Sequence, residues 1–154
     1  MMNSRVTAIA ATGFGLAGLA DPAVARTEVG QPAPEFTGLD SNGRTVALSA
    51  YRGKTVVLEW TNHDCPYVRK HYGSGNMQAL QADAAGRGVV WLSVISSLPG
   101  AQGHVAGAEA NRLTESRKAH PSAVLLDADG RIGRLYGATA TPNMFVIRPD
   151  GTLA

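Results

Sequence analysis

The sequence predicts an α/β domain built on a mixed β-sheet flanked by helices, and three observations carry that expectation. Thr55-Val-Val-Leu-Glu-Trp-Thr61 and Gly88-Val-Val-Trp-Leu-Ser-Val-Ile95 are β-branched and apolar on both alternating faces, as strands buried between neighbours are. Segments of helical character alternate with these and the later strands, the pattern of a layered α/β fold. The last apolar run, Met144-Phe-Val-Ile147, feeds a turn at Arg148-Pro-Asp-Gly151 and so ends the chain in an antiparallel hairpin.

The elements follow in order. Val29-Gly-Gln-Pro-Ala-Pro-Glu-Phe36 is a Pro-rich extended lead-in, and Asp40-Ser-Asn-Gly43 is a tight turn joining two short apolar stretches into a hairpin. Tyr51-Arg52-Gly53-Lys54 turns the chain into the first central strand, Thr55 to Thr61. Pro66 opens a helix that reaches Tyr72, because a missing N–H costs nothing at the first helical position. Gly73-Ser-Gly75 interrupts it. Asn76 is then expected to cap a second helix, with Met77, Leu80 and Ala84 recurring at helical spacing as far as Gly86. The strand Gly88 to Ile95 leads through a glycine-containing loop, Ser96 to Gly107, to a polar helix around Ala108 to Lys118. Ser122 to Leu126 is a third strand, closed by Asp127-Ala-Asp-Gly130, and a helical turn over Ile132 to Tyr136 precedes Thr139-Ala-Thr-Pro142.

One domain accounts for the length: 154 residues, 44% hydrophobic and 17% charged, have the composition of an ordinary globular chain. Fourteen Lys and Arg against twelve Asp and Glu leave a formal charge of +2, with no basic run as long as five, so nothing supports a nucleic-acid partner. The N-terminus differs in character from the rest. Arg5, an uncharged and mostly apolar run from Val6 to Ala20, and Ala23-Val-Ala25 follow the order of a secretory signal peptide. The run is shorter than the roughly 20 residues a spanning helix needs, and Gly13, Gly15 and Gly18 weaken the competing reading of a buried helix. Residues 1–25 are therefore expected to be a cleaved signal peptide and residues 26–154 the folded domain, periplasmic or secreted, with no membrane attachment after cleavage.

A single cysteine, Cys65, rules out an intramolecular disulfide, a CxxC dithiol and any multi-cysteine metal centre. It stands where the first central strand ends and the Pro66 helix begins. A thiolate there gains from the positive end of the helix dipole and from unpaired backbone N–H groups, with Arg69 helping and Asp64 opposing. The competing reading is a small buried hydrophobe, but the carboxyl end of a sheet strand is where open α/β folds put their sites. Glu59 is the one ionisable residue in its apolar run, so an interior strand would desolvate it, raise its pKa and equip it to exchange protons with a nearby thiol. A partly wet strand end, or pairing with Lys54, is the alternative. His63, Cys65 and His71 follow no common zinc spacing, so neither metal nor cofactor is expected.

Taken in order, the lead-in Val29–Phe36, Leu48 to Leu58, the cysteine after the first central strand, Leu126-Asp-Ala-Asp-Gly130, Tyr136-Gly137, Thr141-Pro142 and Phe145 to Gly151 resemble the thioredoxin-like superfamily. The likeness runs to its AhpC/TSA (redoxin) and TlpA-like branches and spans nearly all of residues 28 to 154. Asn62-His-Asp-Cys-Pro-Tyr-Val-Arg-Lys-His71 is most similar to the peroxiredoxin-like subgroup with one active-site cysteine. The resemblance implies a thioredoxin-like fold and a thiol oxidoreductase. In it Cys65 is the nucleophile on a peroxide or disulfide, Thr141-Pro142 is a cis peptide packed against Cys65, and Glu59 is a buried acid. An external thiol or thioredoxin-like reductant would complete the cycle. This sequence departs from the family at Val68, where a CxxC motif has its second cysteine, and at Ala140, a cysteine in some relatives. Leu58 and Asn62 replace the Pro and Thr of the peroxiredoxin motif, which removes a peroxide-activating hydroxyl. The family's last strand and covering helix are expected to be cut short after Gly151, leaving apolar surface on one sheet face.

Overall fold

The computed structural model describes residues 27–154; the signal peptide expected over residues 1–25 lies outside the described residues. In chain order the elements are β1 (Thr37–Asp40), β2 (Thr45–Ala47), a 3₁₀ turn (Leu48–Tyr51), β3 (Val56–Trp60), α1 (Pro66–Gly73), α2 (Asn76–Gly86), β4 (Val90–Ile95), α3 (Gly107–Ser116), β5 (Ala123–Leu126), α4 (Arg131–Tyr136) and β6 (Asn143–Ile147). They form one mixed six-stranded sheet ordered β2-β1-β5-β4-β3-β6. Three of its pairings follow from the connections. Strands β3, β4 and β5 are parallel because helices return the chain between them, whereas β6 meets β3 antiparallel, with Leu58 opposite Phe145 and Glu59 opposite Met144.

Alternation sends β3 residues to two different cores. Val56, Leu58 and Trp60 face a layer made by the lead-in, the 3₁₀ turn and α4, where Phe36, Leu48, Ile132 and Tyr136 are buried. Trp60, Tyr136 and Phe145 lie with ring centroids 5.3–5.5 Å apart, and the Tyr136 hydroxyl donates to Pro34 O at 2.7 Å. Val57 and Glu59 face the opposite layer, where α1 and α2 pack Val68, Tyr72, Met77 and Ala84 against Trp91. Both faces being covered explains why every residue of β3 and β4 is buried. Met144 and Val146, toward the α1 and α2 side at the β6 edge, keep 39% of their surface exposed. Leu153 returns to bridge Ile147 and is buried.

Two local expectations are corrected. Asn76 does not cap α2: Gly75, at φ +77°, takes the cap position in the left-handed region, and Asn76 is already helical, its amide near His71 Nδ1 at 3.3 Å. Leu80 is not on the inward stripe. It is 47% exposed, and Gln81 is the fully buried residue of that turn. The reason lies across the interface, where the Glu59 carboxylate needs donors.

Candidate active site

The end of β3 and the loop after it set the cysteine. Asn62 organises this loop: its Oδ1 accepts from the Asp64 N–H at 2.9 Å and its carbonyl from the Cys65 N–H at 3.0 Å, an Asx turn that delivers Cys65 to the N-cap of α1. The Asn62 side chain leans on the glycine of the facing loop. A Cβ on Gly103 would lie 2.3 Å from Asn62 atoms, and its φ of +82° belongs to glycine. The sequence signal for this turn, Asn62 two residues before Asp64, was open to reading, whereas Gly103 offered none.

Cys65 is partly exposed, and its Sγ lies 3.1 Å from Thr141 O, to which the thiol donates. The Thr141–Pro142 peptide is cis. The thiol is held below the ordinary cysteine range, chiefly by hydrogen bonding to the Thr141 side chain and then by the Val68 N–H; the Tyr67 N–H and the Arg69 charge add to this, and burial opposes it. Pro66 supplies no N–H, and the Arg69 N–H is taken by Cys65 O, so the free donors of the first turn are those that reach the sulfur. Val68, at the place of a second motif cysteine, is fully buried in the α1 and α2 core.

Glu59 is fully buried at the centre of the sheet, neither at a wet strand end nor beside Lys54. Four neutral side chains meet its carboxylate: Trp91 Nε1–H donates at 2.8 Å, the Tyr72 hydroxyl at 2.9 Å, the Ser93 hydroxyl at 3.1 Å and Gln81 Nε2 at 3.4 Å. Burial raises the Glu59 pKa, and these donors restrain the rise. The same burial, with the carboxylate beside it, pushes the Tyr72 phenol well up. Thus the fold joins Cys65, Thr141 and Pro142 in one cluster and sets Glu59 beneath it. Cys65 packs on the apolar group that holds Tyr72 and Trp91, while among the described residues no hydrogen bond links Glu59 to the sulfur. Tyr72, Gln81, Trp91 and Ser93 are the site's supporting residues that sequence reasoning missed. A polar Gln81 within an inward helical stripe was their only trace.

The family model described as AhpC/TSA family matches residues 29–154. No curated protein matches the sequence. Among solved structures, an uncharacterized conserved protein from Geobacillus kaustophilus superposes with a TM-score of 0.74 at 18% identity, covering 84% of this chain and 68% of that one. A secreted disulfide oxidoreductase of Mycobacterium tuberculosis, homologous to E. coli DsbE, gives 0.62 at 20% identity, covering 77% and 80%. The thioredoxin domain of a thiol-disulfide oxidoreductase from Bacteroides vulgatus gives 0.64 at 20% identity, covering 82% and 86%. These likenesses establish a thioredoxin-like α/β fold.

Proposed function

The chain belongs to the AhpC/TSA family, and on that footing we propose that it is an exported, thiol-dependent oxidoreductase of the peroxiredoxin-like kind, with Cys65 as its single nucleophile. The observation that carries this reading is a partly exposed sulfur 3.1 Å from Thr141 O, beside a cis Thr141–Pro142 peptide and at the start of α1. Two structural neighbours described as disulfide oxidoreductases, one of them secreted, are in keeping with it, as is the signal-peptide pattern of residues 1–25.

Against a disulfide, the Cys65 thiolate attacks one sulfur, the S–S bond breaks, and the other sulfur leaves as a thiolate. Against a peroxide, it attacks the terminal oxygen, the O–O bond breaks, and Cys65 becomes a sulfenic acid while the remaining oxygen leaves as hydroxide or alkoxide and is protonated. An external thiol condenses with that sulfenic acid, releasing water. Either route yields a mixed disulfide against Thr141-Pro142, and a further external thiol or a thioredoxin-like reductant returns Cys65 to the thiol. The reductant is external in this reading, since Val68 stands where a CxxC motif has its second cysteine. In this reading Glu59 tunes the site from below.

The chain's single cysteine also favours a second reading, a platform that binds a partner without turnover. Peroxide consumption and insulin-disulfide reduction, each with dithiothreitol as reductant, separate the two. The oxidoreductase reading expects one of these activities in the wild type and its loss in Cys65→Ser. Equal rates for both proteins would leave the platform.

A further inference from the structure

Between the ends of β3, β4 and β5 and helices α1 and α3 lies a cavity with about 30 Å³ of room for the centres of water-sized molecules, enough for about two. Its inner end is polar and buried. Thr61, Tyr72 and Ser93 line it and are 8%, 8% and 3% exposed. Toward the surface the lining passes to His63, whose side chain is 27% exposed, and to the partly buried Arg117. Two features give the cavity meaning. The Thr61 Oγ1 is buried with no hydrogen-bond partner, an orphan that native interiors seldom leave without water. The Ser93 hydroxyl donates to Glu59 and its oxygen retains acceptor capacity, whereas the Tyr72 oxygen, whose hydroxyl donates to the same carboxylate, already accepts from Gln81 Nε2 at 3.2 Å.

We propose that this cavity is a water site that completes the hydrogen bonding of Thr61 and couples buried Glu59 to solvent as a proton route past His63. A proton leaving the Glu59 carboxyl is taken up by the Ser93 oxygen as that hydroxyl passes its own proton to a cavity water. The reverse sequence reloads the acid, and the hydroxyl is unchanged net. The charged groups around the route are Arg117, whose guanidinium sits 5.0 Å from the Tyr72 ring centroid, and Asp64, 3.5 Å from His63 Nε2. From α2 and β4 only the neutral Gln81, Trp91 and Ser93 face the carboxylate. Cys65 is not among the residues that line the cavity, so the route stands whether or not that cysteine turns over a substrate.

The test uses the full-length ¹⁵N-labelled chain. Water-selective NMR should detect water beside the Thr61 and Ala110 methyl groups, and the Trp91 indole N–H, bonded to Glu59, reports ionisation of the acid against pH. Thr61→Val should lose the water signal, move the Trp91 titration midpoint to higher pH, slow exchange of the Ser93 hydroxyl proton and lower the Tm. Ala110→Val narrows the cavity without touching a polar group and should move the midpoint the same way, which keeps the test decisive if Thr61→Val folds poorly. A cavity without water signals overturns the proposal. So does a midpoint that stays put in the variants, or a Thr61→Val protein with a raised Tm, the mark of an orphan hydroxyl in a dry space.

Discussion

For Cys65 the decisive partner lies 76 positions away: the Thr141 side chain holds the thiol pKa down, while the Thr141 backbone carbonyl accepts from the thiol. Its location before a Pro-initiated helix was legible in the sequence, since strand end, Cys and Pro are adjacent. The contact with Thr141 was not, because only tertiary structure joins them, and family likeness alone pointed there. Removing the Thr141 side-chain hydroxyl should therefore raise the thiol pKa. Thr141→Val is expected to shift the pH midpoint of iodoacetamide alkylation upward while the fold persists by circular dichroism. Glu59 makes the opposite linkage. Its folded pKa is raised above the unfolded value, so its contribution to stability is fully present below the unfolded pKa and is lost as pH rises through the folded one. Glu59→Gln cannot titrate. Urea denaturation of the two proteins over a pH series should show wild-type stability falling relative to Glu59→Gln as pH climbs, and a constant difference would contradict a buried titrating acid.

Among the elements, strands and helices were readable wherever one physical demand ruled. Apolar runs gave β3 and β4, and Pro66 gave the start of α1. The reading failed on α2, where hydrophobic periodicity assigned Leu80 inward although the buried carboxylate draws Gln81 there. Capping of α4 likewise crosses elements: Asp127 accepts from the Ile132 and Gly133 N–H groups at 2.9 Å and from the Ser96 hydroxyl at 2.6 Å, which in turn accepts from Trp60 Nε1–H. Asp127 is buried, so Asp127→Ala would strand several donors. It should cost roughly 2–4 kcal/mol in chemical denaturation, with the alkylation profile of Cys65 little changed. Gly103→Ala should do the reverse. Its Cβ has no room beside Asn62, so the Cys65 turn must move; alkylation kinetics should change by more than the Tm does.

For the whole molecule, the sheet is what makes a site from separated segments. The order β4-β3-β6 puts the end of β3, which leads to Cys65, beside the start of β6, which follows Pro142; β3 lends one face to the α4 core and the other to Glu59. Sequence patterning gave the mixed sheet and its closing hairpin because burial on two faces leaves continuous apolar runs. Strand order was invisible to it, as pairing partners leave no local mark. The low thiol pKa is thus a property of the folded chain and should vanish on unfolding. The most direct measurement is the pH dependence of Cys65 alkylation by iodoacetamide in the native protein and in the same protein in denaturant. A native midpoint below the free-thiol value of about 8.5 and a denatured one near it are expected; coincident midpoints, or a native value at or above that of the free thiol, would show that the fold does not activate Cys65.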